Sequence, residues 1–161
     1  MAVVSRSSDA ASPDRLSPVE YVPSTNDLMI GTVPIEYVPS ISDLMIGTIQ
    51  PRHERLWHAV EERNWDFAAY ELGNLHGAFD RLGRAHPTEQ NVSLPDTMAS
   101  VTDQPFKDLK NSIHAKDKAL FSKAYGELTD ACNSCHQALN HGVVVIGRPD
   151  VSSHSDLVLH K

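Results

Sequence analysis

Residues 128–149 read LTDACNSCHQALNHGVVVIGRP, and within them Cys132-Asn133-Ser134-Cys135-His136 is the stretch on which the fold and the chemistry turn. A C-x-x-C-H string is the attachment pattern of a c-type haem. Two thiols add across the vinyl groups on one edge of the porphyrin, so they must stand about one helical turn apart. His136 then lies beneath the macrocycle and offers an imidazole nitrogen to the iron as proximal ligand. These are the only two cysteines of the chain, which leaves no thiol for another purpose. Two other readings use the same atoms. A zinc site would take both thiolates and a histidine, but the sequence offers no second clustered ligand pair. A thioredoxin-like redox pair would want the cysteines at a helix N-terminus, and here they fall near a helix C-terminus.

Working outward from the motif, the hydrophobic pattern predicts four helices. The last, over 117–139, starts at Asp117. It carries Leu120, Phe121, Ala124, Leu128, Ala131, Cys132, Cys135 and Leu139 inward. The first, over 42–63, sets Leu44, Met45, Ile49, Leu56 and Val60 on one stripe, with Ser42 or Asp43 as its cap. The second, over 66–85, keeps a 4-3-4-3 rhythm in Ala68, Leu72, Leu75, Phe79 and Leu82, and Pro87 stops it. Residues 87–102, with Pro95, read as a polar connection. The third helix is expected over 104–114, with Pro105 in its first turn and Phe106, Leu109 and Ile113 buried. Short links at two of the three junctions make this an all-α chain, an antiparallel four-helix bundle with a flat cofactor held near the end of the last helix.

The remaining segments read differently. Residues 1–18 have the composition of a disordered leader. A duplication follows: VEYVPSTNDLMIGTVP (19–34) precedes IEYVPSISDLMIGTIQ (35–50), with 11 of 16 positions identical. Two copies are too few for a solenoid. Only the second runs into the helical region, so residues 19–40 are expected as an extended arm, 41–150 as the haem domain and 151–161 as a tail. The formal net charge of −7 argues against nucleic acid, whose binders carry a basic stripe. No stretch approaches the ~20 apolar residues of a membrane span. Haem c is attached in the bacterial periplasm, yet the opening residues lack the apolar core of a secretory signal. The expectation is therefore a periplasmic protein without its signal peptide in this chain.

The blocks DLMIGTIQPRHERLWHAVEERNWDFAAYELGNL (43–75) and LTDACNSCHQALNHGVVVIGRP (128–149) carry a family resemblance. A haem motif at the end of the last of four helices resembles the class II c-type cytochromes, the cytochrome c′ family. The blocks look still more like a branch of small periplasmic cytochrome-like proteins. The resemblance spans roughly 42–150 and leaves out the leader and the first repeat. It implies a bundle, one covalent haem c with its iron, and a distal residue from the first helix. Cys132, Cys135 and His136 match the attachment motif, and Met45 takes the distal position.

An up-down-up-down bundle makes the first and last helices antiparallel. His136 stands three residues from the end of one, so its level on the other is Met45. Methionine opposite histidine gives low-spin iron at a raised potential, suited to electron transfer with a redox partner protein. The rival ligand, His53, lies eight residues on, about 12 Å further along the axis. A five-coordinate iron with Met45 as core filler is the remaining geometry, and it would bind nitric oxide or carbon monoxide. Pro51 cuts across the level argument, because an interior proline removes a helical hydrogen bond. The helix either kinks there or begins at Pro51. Arg148 offers a charge-assisted bond to a haem propionate. His58, His76, His86, His114 and His141 read as solvated or core-edge residues, and Trp57, Trp65, Tyr70 and Tyr125 as packing residues. Peroxidase chemistry would want a polar distal residue, which Leu44-Met45-Ile46 does not supply, so no enzyme activity is expected. A homodimer is left open, and so is a zinc-stapled module.

Overall fold

The computed structural model describes residues 37–149, which fall within one unit of the chain. The expected leader (1–18), most of the arm including the first repeat copy, and the tail (151–161) lie outside the described residues. Four helices account for most of what is described. Helix α1 runs through three consecutive segments, Ile41–Leu44 in α form, Met45–Ile49 in π form and Gln50–Glu61 in α form. Helices α2 (Trp65–Ala85), α3 (Leu94–Ala115) and α4 (Lys118–Ala138) follow. A two-stranded hairpin, β1 (Thr88–Glu89) with β2 (Val92–Ser93), joins α2 to α3 in antiparallel register. Among the described residues no helix is long and apolar enough to cross a membrane.

Each start is written locally. Ser40, rather than Ser42 or Asp43, caps α1. Its hydroxyl accepts from the Asp43 amide, and the Asp43 carboxylate accepts from the Ser40 amide in return. Asn64 caps α2 and Asp117 caps α4, whose carboxylate accepts from Ala119 and Leu120. The core follows the helical stripes: Leu56, Ala59 and Val60 from α1, Ala68, Leu72, Leu75 and Leu82 from α2, and Phe121, Ala124, Tyr125 and Leu128 from α4. Leu120, expected inward, is 54% exposed, because the α4 stripe passes through Phe121 instead.

Helix α3 begins ten residues before its expected start. Residues 94–102 are expected as part of a polar connection, but Ser93 caps a helix there and Pro95 occupies the first turn, where no amide partner is lost. Pro105 is then an interior, buried residue rather than a starting one. The stripe Leu94, Met98, Thr102, Phe106, Leu109 and Ile113 is continuous. Thr102 disguised it, because a hydroxyl at a core position interrupts the apolar rhythm. That hydroxyl is satisfied by donating to the Met98 carbonyl at 2.9 Å.

The π segment answers the problem set by Pro51. In an α-helix the pyrrolidine ring would meet the carbonyl four residues back, and no amide would bond to it. Here the Gln50 amide reaches back five residues to the Met45 carbonyl, which widens the turn. The helix neither breaks nor begins at Pro51, and Met45 lies within it. Thr48 donates its hydroxyl to the Leu44 carbonyl, and the Arg52 guanidinium donates to the Thr48 carbonyl, supplying partners around the widened turn.

Candidate haem pocket

Helices α1 and α4 run in opposite directions, and their contacts step along both at once. Lys118 Nζ lies 2.8 Å from Glu61. Trp57 and Phe121 follow with ring centroids 6.1 Å apart, and His53 bonds to both Tyr125 and Thr129. Each move of four residues towards the start of α1 is matched by about four towards the end of α4. Continued for two more turns, that register sets Met45 level with residues 133–137, which include His136. A cavity of about 510 Å³ opens between them, lined by Met45, Ile49, Cys132, Cys135 and His136 together with side chains of α2 and α3. Its size lies in the range of pockets that hold sizeable organic ligands, and apolar residues such as Leu75, Phe79, Met98 and Leu128 form much of its wall.

His136 already has the posture of a ligand. Its Nδ1 lies 2.8 Å from the Val144 carbonyl, so Nδ1–H donates there and Nε2 keeps its lone pair. Histidines that bind metals characteristically hold their other ring nitrogen in this way. Val144 is kept in reach by Asn133, whose amide nitrogen donates to the Ile146 carbonyl at 2.9 Å and whose oxygen accepts from the Ile146 amide at 2.7 Å. The two variable positions of the motif are therefore not equivalent. Asn133 fastens the following segment, while Ser134 donates only to the Asp130 carbonyl one turn back. Nothing in the spacing of the motif announced this clamp. Its one signal is that an asparagine can satisfy both groups of an extended backbone.

Both thiols are free and half-buried. Burial pushes Cys132 up to about 12, and Cys135 upward as well, so both are neutral thiols near pH 7. That is a poor state for thiolate redox chemistry. Among the described residues no three His, Cys, Asp or Glu side chains converge closely enough to hold a metal ion.

The other sequence candidates fall in distinct places. His53 lines the cavity but is committed: Nδ1 lies 2.8 Å from the Tyr125 hydroxyl and Nε2 lies 3.1 Å from the Thr129 hydroxyl. Desolvation lowers its pKa to about 4. Arg148 stands away from the cavity wall. Its guanidinium donates to the Ser122 carbonyl at 3.2 Å and covers the Trp57 ring at 5.5 Å. Tyr125 and Trp57 pack as expected, whereas Tyr70 is 62% exposed. Two histidines read as peripheral, His86 and His141, reach the cavity edge beside Glu89. His86 donates to the Pro39 carbonyl at 2.7 Å and so ties the entry of α1 to the end of α2. Their sequence spacing carried no sign of this, because they come from separate connections.

Comparison with family models, curated proteins and solved structures found no match to this chain.

Proposed function

We propose that the chain is a periplasmic monohaem c-type cytochrome acting in electron transfer, built on a four-helix bundle like that of cytochrome c′. The observation that carries this reading is the convergence of Met45, Cys132, Cys135 and His136 on one largely apolar cavity. A covalent haem would supply reversible one-electron chemistry at the iron. The remaining work belongs to the chain. Cys132 and Cys135 would tie the macrocycle edge to α4. His136 offers Nε2, with its orientation set by Val144. Met45, one helix away at the same level, offers a thioether sulfur, a soft donor that raises the potential. The apolar walls would keep water from the iron and lower the reorganisation that accompanies electron transfer. Exposed Ile46 and Val144 at the rim would bring a redox partner near the haem edge.

The test is an absorption spectrum of the haem-loaded protein, oxidised and reduced, with and without carbon monoxide. Low-spin spectra unchanged by carbon monoxide support the electron carrier. High-spin spectra that respond to it replace that reading with the gas-binding one. A colourless protein carrying zinc overturns both.

A further inference from the structure

From the cavity wall at His53 a polar network runs inward that haem ligation does not use. The rings of His53 and Tyr125 stack with centroids 4.3 Å apart, and the Tyr125 hydroxyl stands 2.8 Å from His53 Nδ1. Tyr125 is fully buried and His53 is 6% exposed. Polar groups at such depth cost free energy unless they are paired, and these are paired in a continuous sense. Tyr125 donates to Nδ1, Nε2–H donates to the Thr129 hydroxyl at 3.1 Å, and Thr129 donates to the Tyr125 carbonyl at 2.8 Å. In the reverse sense Nδ1–H donates to the phenol oxygen and the phenol to the His53 carbonyl at 2.9 Å, but Nε2 then has a donor only if Thr129 gives up its bond to the Tyr125 carbonyl. The first sense aims a base at a phenol. The second does not.

One-electron oxidation of a phenol leaves a strongly acidic radical cation, so a buried tyrosine gives up an electron only where its proton has an acceptor. Here proton loss alone is suppressed, because burial drives the Tyr125 phenol upward from its ordinary range. Burial also keeps His53 neutral near pH 7, with a lone pair to offer. After transfer, both imidazolium N–H groups still have acceptors, the tyrosyl oxygen and Thr129. The next aromatic outward is Trp57, with its centroid 4.9 Å from that of Tyr125. The Arg148 guanidinium covers Trp57. A cation there opposes positive charge on the indole, so an oxidising equivalent rests on Tyr125.

We propose that Tyr125 is a redox-active residue that reduces a one-electron-oxidised group in the cavity, with His53 as its proton acceptor. The Tyr125 O–H bond breaks, the electron passes to the oxidant, the proton forms an Nδ1–H bond on His53, and a neutral tyrosyl radical remains. The oxidant in the working protein would be haem oxidised by a peroxide that has displaced Met45 from the iron, so this role rests on the haem reading, whereas the pair itself does not. Its effect is to draw oxidising equivalents away from the cavity.

Two arms, both run with Tyr21, Tyr37 and Tyr70 replaced by phenylalanine so that Tyr125 is the remaining phenol, separate the pair from the haem. In the first, haem-loaded protein is treated with hydrogen peroxide, freeze-quenched and examined by electron paramagnetic resonance. In the second, haem-free protein is oxidised by a photogenerated ruthenium(III) polypyridyl complex, which needs no haem. A neutral tyrosyl signal is expected in both arms. Tyr125→Phe should abolish it with the absorption spectrum of the loaded protein unchanged. A fluorotyrosine at position 125, which keeps every hydrogen bond, should alter the hyperfine pattern. His53→Gln should slow radical formation and remove its solvent deuterium isotope effect. A signal that survives Tyr125→Phe, or a hyperfine pattern unmoved by the fluorotyrosine, overturns the proposal. So does the absence of a tyrosyl signal in the ruthenium arm. A protein that binds no haem empties the first arm and leaves the second to decide.

Discussion

His136 turns its Nδ1 to the carbonyl of Val144, eight residues further along the chain, at 2.8 Å. The C-x-x-C-H motif is thus completed by residues that follow the helix, and Asn133 is the clip that holds them. Asn133→Ala removes two hydrogen bonds to Ile146 and should cost about 1–2 kcal/mol. With the Val144 carbonyl loosened, His136 becomes a weaker donor and the reduction potential should rise. Thermal melts and a potentiometric titration of the variant check both effects.

Loading in a host competent in haem attachment should give an intact mass one haem above that of the polypeptide and a two-thioether haemochrome. Cys135→Ala should retain a single link, and His136→Ala should abolish stable incorporation. Mass spectrometry with pyridine haemochrome spectra decides this.

Met45→Ala should remove the near-infrared methionine-to-iron charge-transfer band of the oxidised protein. It should lower the potential by on the order of 100 mV, within the span that axial ligands command. The variant should also bind carbon monoxide. His53→Ala should leave the band in place, because both nitrogens of His53 are already engaged in the core. A band lost with His53 instead would identify a bis-histidine iron.

Pro51→Ala restores an amide to α1 and allows the π turn to close to α form. Stability should rise by about 1–3 kcal/mol. Tightening the turn moves Met45 around the helix, so the methionine band should weaken as the melting temperature rises. Opposed changes in one variant would mark the widened turn as a cost borne for ligand placement.

His53 gives the stability a pH dependence with a definite sign. Its folded pKa of about 4 lies below the ordinary value of 6.5, so between these values the unfolded chain binds the extra proton. The contribution is therefore complete above pH 6.5 and is lost as pH falls towards 4, by about 1.4 kcal/mol per unit. Urea unfolding at intervals from pH 7 to pH 4 should show this slope, and His53→Gln should flatten it.

Much was legible from the chain alone. The 4-3-4-3 rhythm of α2 could be satisfied only by a helix with one buried face, and the bounds of α2 and α4 fell within a residue of expectation. Cys132, Cys135 and His136 were fixed as a unit because their spacing is local, set by one helical turn. Met45 at the level of His136 also followed from the sequence, because antiparallel register needs only residue counting. Other features required the folded structure. The start of α3 was hidden by Thr102, whose hydroxyl is buried at no penalty only because a carbonyl of its own helix receives it. The passage of α1 through Pro51 depended on a five-residue hydrogen bond that no propensity scale ranks. The engagement of His53 by Tyr125 and Thr129, more than seventy residues away, and the return of Val144 onto His136 are contacts between distant or separately folded segments. Local sequence dictates which backbone a segment prefers and which face it buries. Which polar atoms meet inside is decided only when helices dock, because a buried hydrogen bond depends on the relative placement of two elements and on no property of either alone.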